Sequence, residues 1–213
     1  MVFHVLNRGV GRRRILNKDA DDAAFEDILA KTLEKCPMRI CSYCLMPNHW
    51  HFVMWPEGDA DLGVFMQRLC VTHVTRWQKH RHVVGEGHLY QARFKSFPVE
   101  TEDYFYQLLR YVERNALRAN LCQRAEDWRW GSLWRRAHGT PDQRALLSDW
   151  PVPRQWAKHI NRPQTNAEVN AIRMSVLRGQ PLGSPTWVQK AAKALGLKST
   201  LRPRGRPRKP ADD

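Results

Sequence analysis

Two short strand-like runs follow each other almost without a connection, and this feature constrains the fold of the chain most strongly. Residues 38–46 and 49–55 are rich in β-branched, aromatic and other apolar side chains, as strands are. Only Pro47 and Asn48 separate them. A connection of two residues is too short to contain a helix, so one strand leads directly into the next.

The remaining elements complete a recognisable order. Strands are predicted over residues 2–8 and 92–99, and apolar positions at helical spacing predict helices over residues 19–35, 61–80 and 102–117. The order strand, helix, strand, strand, helix, strand is the split βαβ pattern of ferredoxin-like domains. We therefore expect an α+β fold with an antiparallel sheet and helices mainly on one face. The third helix is expected to pack across the open face.

The composition changes beyond about residue 122. Several prolines interrupt residues 139–200, for which we predict a mostly helical extension. Helices over 166–178 and 185–196 could form a helix-turn-helix unit, or two packed helices with no special purpose. Residues 201–213 are basic and proline-rich, and we expect this tail to be disordered on its own.

The charge balance points to a polyanionic partner. The 213-residue chain has 35 Lys and Arg against 21 Asp and Glu, a net charge of +14. Each phosphate that such a surface neutralises releases condensed counterions, which favours nucleic acid as the partner. An anionic membrane surface is the alternative, but no apolar run approaches the roughly 18 residues that a spanning helix needs. With no signal-peptide pattern, we expect a cytoplasmic, nucleoid-associated protein.

The chain has five cysteines, an odd number that favours reduced thiols over a disulfide framework. Cys41 and Cys44 have the spacing of one half of a zinc site, and Cys36 lies close by. No second Cys pair follows, and the segment 38–46 is a predicted strand. We therefore expect buried free thiols, with structural zinc as the alternative.

His49 and His51 are the first candidate site residues. Side chains at i and i+2 of a strand share a face, so both imidazoles are expected on one side of the sheet. Trp50, Phe52 and Met54 then cover the other side. Two neighbouring imidazoles are a start for a metal site, although a His-x-His in a strand is more often incidental.

The third helix carries a polar stripe at i, i+4, i+8 and i+11 spacing. Its members are Gln107, Tyr111, Asn115 and Arg118, with Arg110 and Arg114 alongside. Such a stripe can be an exposed, solvated face, or a place that receives a phosphodiester. A phenol has a pKa of about 10 and is a poor nucleophile at neutral pH. It becomes competent if a metal polarises the phosphoryl oxygen and cations spread the developing charge.

Several segments together resemble a known family. The segment Cys44 to His51 resembles the HUH motif (His, bulky hydrophobe, His) of single-tyrosine transposases, and Arg110 to Ala119 is similar to their catalytic helix. Gly87 to Lys95 and Trp130-Gly131-Ser132 are similar to further family segments. The subgroup that fits best is the REP-associated tyrosine transposases, over about residues 3–138, so the predicted catalytic domain is 1–138.

The resemblance implies specific chemistry. It implies a ferredoxin-like HUH core, a Mg²⁺ or Mn²⁺ site at His49 and His51, Tyr111 as the nucleophile and single-stranded DNA hairpins as substrate. Family members place a third ligand one helical turn after the tyrosine, where this chain has Asn115. Ligand softness alone would let two histidines prefer zinc, so the choice of Mg²⁺ or Mn²⁺ rests on the resemblance. We expect a monomer rather than a homodimer.

Basic residues are the candidate DNA contacts. They are Arg12, Arg13, Arg14, Arg93, Lys95, Arg110, Arg114, Arg118, Arg204, Arg206 and Arg208. The last three flank a Gly-Arg-Pro core that resembles an AT-hook, which would place the tail in the minor groove of A·T-rich duplex. A tail that binds phosphate without sequence preference is the equal alternative, and Arg12 to Arg14 could equally be plain surface charge.

Two hypotheses about function follow. The first is an endonuclease and strand-transferase that nicks palindromic hairpin DNA through a covalent phosphotyrosine. The second is a catalytically inactive, transposase-derived protein that binds DNA or represses transcription.

Overall fold

The computed structural model describes residues 1–202 of the chain. Its centre is a four-stranded sheet in the order β2-β3-β1-β4, and every neighbouring pair is antiparallel. The strands are β1 (Val2–Arg8), β2 (Arg39–Met46), β3 (His49–Trp55) and β4 (Lys95–Val99). The predicted α+β class and antiparallel sheet are confirmed.

Two long helices cover one face of the sheet. They are α1 (Asp19–Lys35) and α2 (Asp61–His80), which pack against each other. Their apolar sides meet Trp50, Phe52 and Met54 of β3 in one hydrophobic core. Burial of these large side chains is the main favourable contribution to folding on this face.

The third helix lies on the opposite face, as predicted. The helix α3 (Asp103–Glu113) packs against β2 and β3. Its residues Leu108, Leu109 and Val112 form a second core with Val53 of β3. The sheet is therefore buried on both faces, and its two faces carry different helices.

Three predicted boundaries are corrected by the structure. The predicted helix 102–117 is interrupted at Arg114 and continues as a short helix, α4 (Asn115–Arg118). The fourth strand begins at Lys95 instead of residue 92, because the pairing with β1 changes register there: between the Leu6–Lys95 pair and the Gly9–Tyr90 bridge, two residues of β1 face four of the preceding segment. The last predicted helix, α9, ends at Ala194 instead of residue 196, and Gly196 has a left-handed φ of 68°.

The C-terminal segment adds several helices. They are α5 (Ser132–His138), α6 (Pro141–Ala145), α7 (Trp156–Asn161), α8 (Asn166–Arg178) and α9 (Pro185–Ala194). Trp156 and Ile160 of α7 and Ile172 of α8 lie in the second core beside α3. The mostly helical extension is present, and its packing holds the outer side of α3. DNA recognition by α8 and α9 as a helix-turn-helix stays a prediction.

A buried ion pair joins the C-terminal segment to the first helix. Arg135 of α5 is fully buried, and its Nε donates to Oε1 of Glu26 at 2.9 Å. Its Nη2 donates to Oε2 of the same carboxylate at 2.5 Å, and the Tyr43 hydroxyl donates to Oε1 at 2.6 Å. The carboxylate thus receives hydrogen bonds from two partners, which is what a buried charge needs to be tolerated.

The cysteines are free thiols in the structure. Cys41 and Cys44 are buried in the second core, where burial raises the pKa of Cys41 to about 11 and that of Cys44 to about 12. The expected burial of these two positions is confirmed. Among the helices of residues 1–202, none combines the length and the hydrophobicity that a membrane-spanning segment requires.

Candidate active site

The two histidines of β3 lie on the face that α3 covers. The ring centroids of His49 and His51 are 5.0 Å apart. The residues between and after them, Trp50 and Phe52, point into the core on the other face. The strand alternation that the sequence predicts is therefore confirmed, and it brings both imidazoles to one side of the sheet.

Hydrogen bonds engage the same nitrogen of each ring. His49 Nδ1 lies 2.6 Å from the Asn48 side-chain oxygen, and His51 Nδ1 lies 2.8 Å from Nε2 of His4 on β1. The Nε2 atoms are thus the ring nitrogens left to bind another group. A metal-binding imidazole usually has its second nitrogen held in this way.

Burial keeps these imidazoles neutral. It lowers the pKa of His49 to about 4, with further lowering by Arg8 and Arg118, and it lowers the pKa of His51 well below its usual range. The pKa of His4 falls to about 3, again through burial. A neutral imidazole keeps a lone pair, so at neutral pH both β3 histidines can act as ligands.

Tyr111 of α3 faces the same place. Its ring centroid lies 6.0 Å from that of His51 and 6.1 Å from that of His4, both in edge-on arrangements. The side chain is 7% exposed. The helix on the open face therefore brings the predicted nucleophile to the predicted histidine pair, which lies about sixty residues earlier in the chain.

Arg118 connects the tyrosine to the amide one turn later. Its guanidinium carbon lies 4.0 Å from the Tyr111 ring centroid, and its Nη2 donates to Oδ1 of Asn115 at 2.8 Å. Among the described residues, Arg118 Nη1 and Asn115 Nδ2 are buried without a hydrogen-bond partner. A cation with an unused N–H beside a phenol is well placed to stabilise negative charge on a bound phosphate.

The side chains at this site supply only some of the ligands that a metal ion needs. Residues 1–202 contain no group of three or more His, Cys, Asp and Glu side chains that could hold one. His49 and His51 offer two neutral imidazoles with Nε2 free, and Asn115 offers an amide oxygen that already accepts from Arg118. These residues fit a divalent ion that takes its remaining ligands from DNA phosphate oxygens and water.

Glu113 holds the helix in register with the rest of the domain. This buried carboxylate accepts from the Ser42 and Ser132 hydroxyls at 3.1 and 2.8 Å, and from Trp156 Nε1 at 2.8 Å. Burial raises its pKa. Because the three donors come from β2, α5 and α7, this residue fixes the part of α3 that carries Tyr111.

Several predicted DNA contacts lie at one end of the sheet. Arg12, Arg13 and Arg14 are exposed just after β1, and the Asn48 side chain donates to the Arg12 carbonyl beside His49. Arg93 and Lys95 are exposed where β4 begins. These five cations remain candidates for phosphate contacts.

Arg110 and Arg114 have a different place from the one expected. Arg110 is 7% exposed and donates to the carbonyls of Arg162 and Pro163, and Arg114 donates to those of Ile160 and Asn161. They satisfy backbone carbonyls at and just beyond the end of α7. We predicted that these two arginines contact DNA. In the structure they instead anchor the C-terminal extension to α3. Arg204, Arg206 and Arg208 of the tail lie outside the described residues.

Sequence reasoning missed three residues around the site. His4 contacts His51, Arg8 lies opposite His49 in the β1–β3 register, and Glu113 holds α3. A usable signal existed for His4, since it is the polar residue in the interior of the apolar run at Val2–Leu6. For Arg8 and Glu113, no local sequence pattern indicates which residues the fold brings next to them.

The chain is similar to proteins of known family. A family model described as "Transposase IS200 like" matches residues 1–115. A solved structure of a REP-associated tyrosine transposase bound to a REP hairpin has a TM-score of 0.53 at 17% identity, over 77% of this chain and 85% of that chain. A structure assigned to a transposase of Deinococcus radiodurans R1 has a TM-score of 0.38 at 16% identity, over 58% and 86% of the two chains. No curated protein matches the chain.

Proposed function

Because the chain belongs to the family of IS200-like transposases, we propose that it is an endonuclease and strand-transferase that nicks single-stranded hairpin DNA. The observation that carries the proposal is the packing of Tyr111 against His51 with Arg118 over the phenol ring, at 6.0 and 4.0 Å. This packing supports the proposal, because a phenol, two imidazoles and a guanidinium lie close together.

Each side chain has a role in the proposed reaction. Tyr111 Oη attacks the phosphorus as its proton leaves to solvent, and the bond from phosphorus to the neighbouring sugar oxygen breaks as that oxygen takes up a proton. The DNA end stays esterified to the tyrosine, which conserves the phosphodiester for rejoining. Arg118 stabilises the charge that develops on the phosphate oxygens. His49, His51 and Asn115 would hold Mg²⁺ or Mn²⁺, which when bound polarises the phosphoryl oxygen.

The net charge of the chain and its similarity to a hairpin-bound structure both support a hairpin substrate. The net charge of +14 favours a polyanion, and the exposed cations at the end of the sheet give a surface for a strand that enters the site. The solved relative of similar fold was bound to a REP hairpin. We propose palindromic, REP-like hairpins as the substrate class, in the bacterial cytoplasm at the nucleoid, with the basic tail as a further contact to A·T-rich duplex.

A single chain supplies both halves of the proposed site. Tyr111 on α3 lies against His51 of the same chain, and Glu113 and the extension hold that helix in place. No group from a second chain is needed to bring tyrosine and histidines together. This supports a monomer as the active form.

A gel experiment tests the proposal. We expect that the protein incubated with labelled hairpin oligonucleotides and Mn²⁺ gives a slowly migrating covalent species on a denaturing gel, and that a chelator removes it. A linear oligonucleotide of the same composition without the hairpin is the control. If no covalent species forms across a range of hairpins that the protein binds, the catalytically inactive DNA-binding or repressor protein is the better account.

A further inference from the structure

His4 is a fully buried histidine in the middle of β1. Its ring lies edge to edge with that of His51, with centroids 5.0 Å apart and planes at 27°, and the Phe97 ring packs nearly perpendicular to it at 4.9 Å. Histidine is only occasionally buried completely, because its two nitrogens both need partners. An apolar side chain would fill this position more simply, so the imidazole itself needs an explanation.

One hydrogen bond distinguishes the two nitrogens of His4. Its Nε2 lies 2.8 Å from His51 Nδ1, whereas its Nδ1 is buried with no partner among the described residues. Both rings are buried, and burial disfavours a charged imidazole. Each ring therefore carries one N–H and one lone pair, and only one of the two facing nitrogens holds the proton.

The position of that proton decides what His51 can bind. If His4 donates, His51 Nδ1 uses its lone pair in the bond, and its proton sits on Nε2, where it blocks a metal. If His51 donates, its Nε2 carries the lone pair, and the proton of His4 moves to its own Nδ1. Only the second arrangement suits a metal ligand.

We propose that His4 is a positioning residue whose Nε2 accepts the Nδ1–H of His51 and so holds His51 in the tautomer that binds a divalent metal through Nε2. The inference rests on the proposed function of the His49 and His51 pair. His49 has the same arrangement, because the oxygen of the Asn48 side chain accepts from its Nδ1 at 2.6 Å. Both histidines are thus oriented by an acceptor behind them, one an amide and the other an imidazole.

Two replacements of His4 distinguish its role as a hydrogen-bond acceptor from the packing of its ring. His4→Phe keeps an aromatic ring between His51 and Phe97 but offers no acceptor, and His4→Gln offers an amide oxygen that can accept the same proton. Val99→Ala removes buried side-chain volume from the second core and leaves the histidines alone, so it controls for general loosening of this face.

The first measurement reads the tautomer without metal or DNA. In the full chain labelled with ¹⁵N-histidine, with chelator present, long-range proton–nitrogen NMR correlations assign the proton of each ring. We expect His51 in the Nδ1–H form in the wild type, in Val99→Ala and in His4→Gln, and a shift toward the Nε2–H form in His4→Phe. His51 in the Nε2–H form in the wild-type protein, or unchanged in His4→Phe, would overturn the proposal.

The second measurement is the affinity for Mn²⁺ alone, from the paramagnetic resonance signal of the free ion. We expect His4→Phe to weaken binding by about 10- to 100-fold, as loss of a residue that orients a ligand does, with His4→Gln and Val99→Ala within a few-fold of the wild type. Equal affinity of His4→Phe and wild type would contradict the proposal. If the tautomers and the Mn²⁺ affinities are as expected but the protein does not cleave DNA, the result counts against the proposed reaction and not against the role of His4.

Discussion

Replacing Tyr111 by phenylalanine is expected to abolish the covalent protein–DNA species while the hairpin is still bound. The change removes one oxygen and keeps the ring that packs near His51 and under Arg118. Loss of a nucleophile removes the reaction path itself, so we expect the rate of adduct formation to fall by roughly 10³-fold or more. Binding, measured with chelator present, should change by no more than a few-fold.

The same helix offers a matched control. Tyr106 lies five residues earlier on α3, and its hydroxyl donates to the Pro151 carbonyl at 3.0 Å, away from the histidines. Tyr106→Phe also removes a single oxygen from a packed ring, but we expect it to form the adduct at nearly the wild-type rate. If Tyr111→Phe still forms the adduct, Tyr111 is not the nucleophile.

Breaking the buried Glu26–Arg135 pair is expected to give the largest loss of stability. Arg135→Met would leave the Glu26 carboxylate buried with only the Tyr43 hydroxyl as a donor. Removal of one partner of a buried ion pair costs about 3–5 kcal/mol in free energy of unfolding. Urea unfolding curves of wild type and variant give this difference directly.

Arg129 provides the control for this measurement. Its guanidinium lies 5.0 Å from the Trp130 ring, as that of Arg135 does, but its side chain is 54% exposed. Its distance to the Asp19 carboxylate is 3.8 Å, and such exposed pairs contribute little. We expect Arg129→Met to lower the free energy of unfolding by less than about 1 kcal/mol. Equal effects of the two replacements would mean that the buried pair does not hold α5 to α1.

A double replacement separates charge burial from packing. Glu26→Leu combined with Arg135→Met removes both charges from the interior. Because replacement of a whole buried pair by apolar side chains is often neutral, the double variant should be more stable than Arg135→Met alone.

Local patterns were sufficient to predict most of the fold and the faces that carry the two halves of the proposed site. Strand alternation placed His49 and His51 on one face, and helical spacing placed Tyr111, Asn115 and Arg118 on another. That these two faces meet depends on α3 packing across the open face of the sheet. The order of elements predicts this packing, since both faces of a buried sheet need cover.

What the sequence could not supply were contacts between distant residues. His4 and His51 are 47 positions apart and meet because β1 and β3 are neighbours in the sheet. Arg110 and Arg114 have the spacing of a phosphate-binding stripe, but their partners are carbonyls about fifty residues later. Whether an arginine on a helix faces DNA or its own chain is decided by what packs beside the helix, and no local pattern contains that.

Peptide mapping of the adduct tests whether Tyr111 becomes covalently attached to DNA. Trypsin cleaves after Arg110 and Arg114, so the modified peptide should be the four residues from Tyr111 to Arg114, carrying a nucleotide phosphate after nuclease digestion. Tyr104 and Tyr106 lie in a different peptide, residues 96–110. We expect the phosphate on the four-residue peptide, and a phosphate on the 96–110 peptide, or on any other residue, would show that Tyr111 is not the residue attached to DNA.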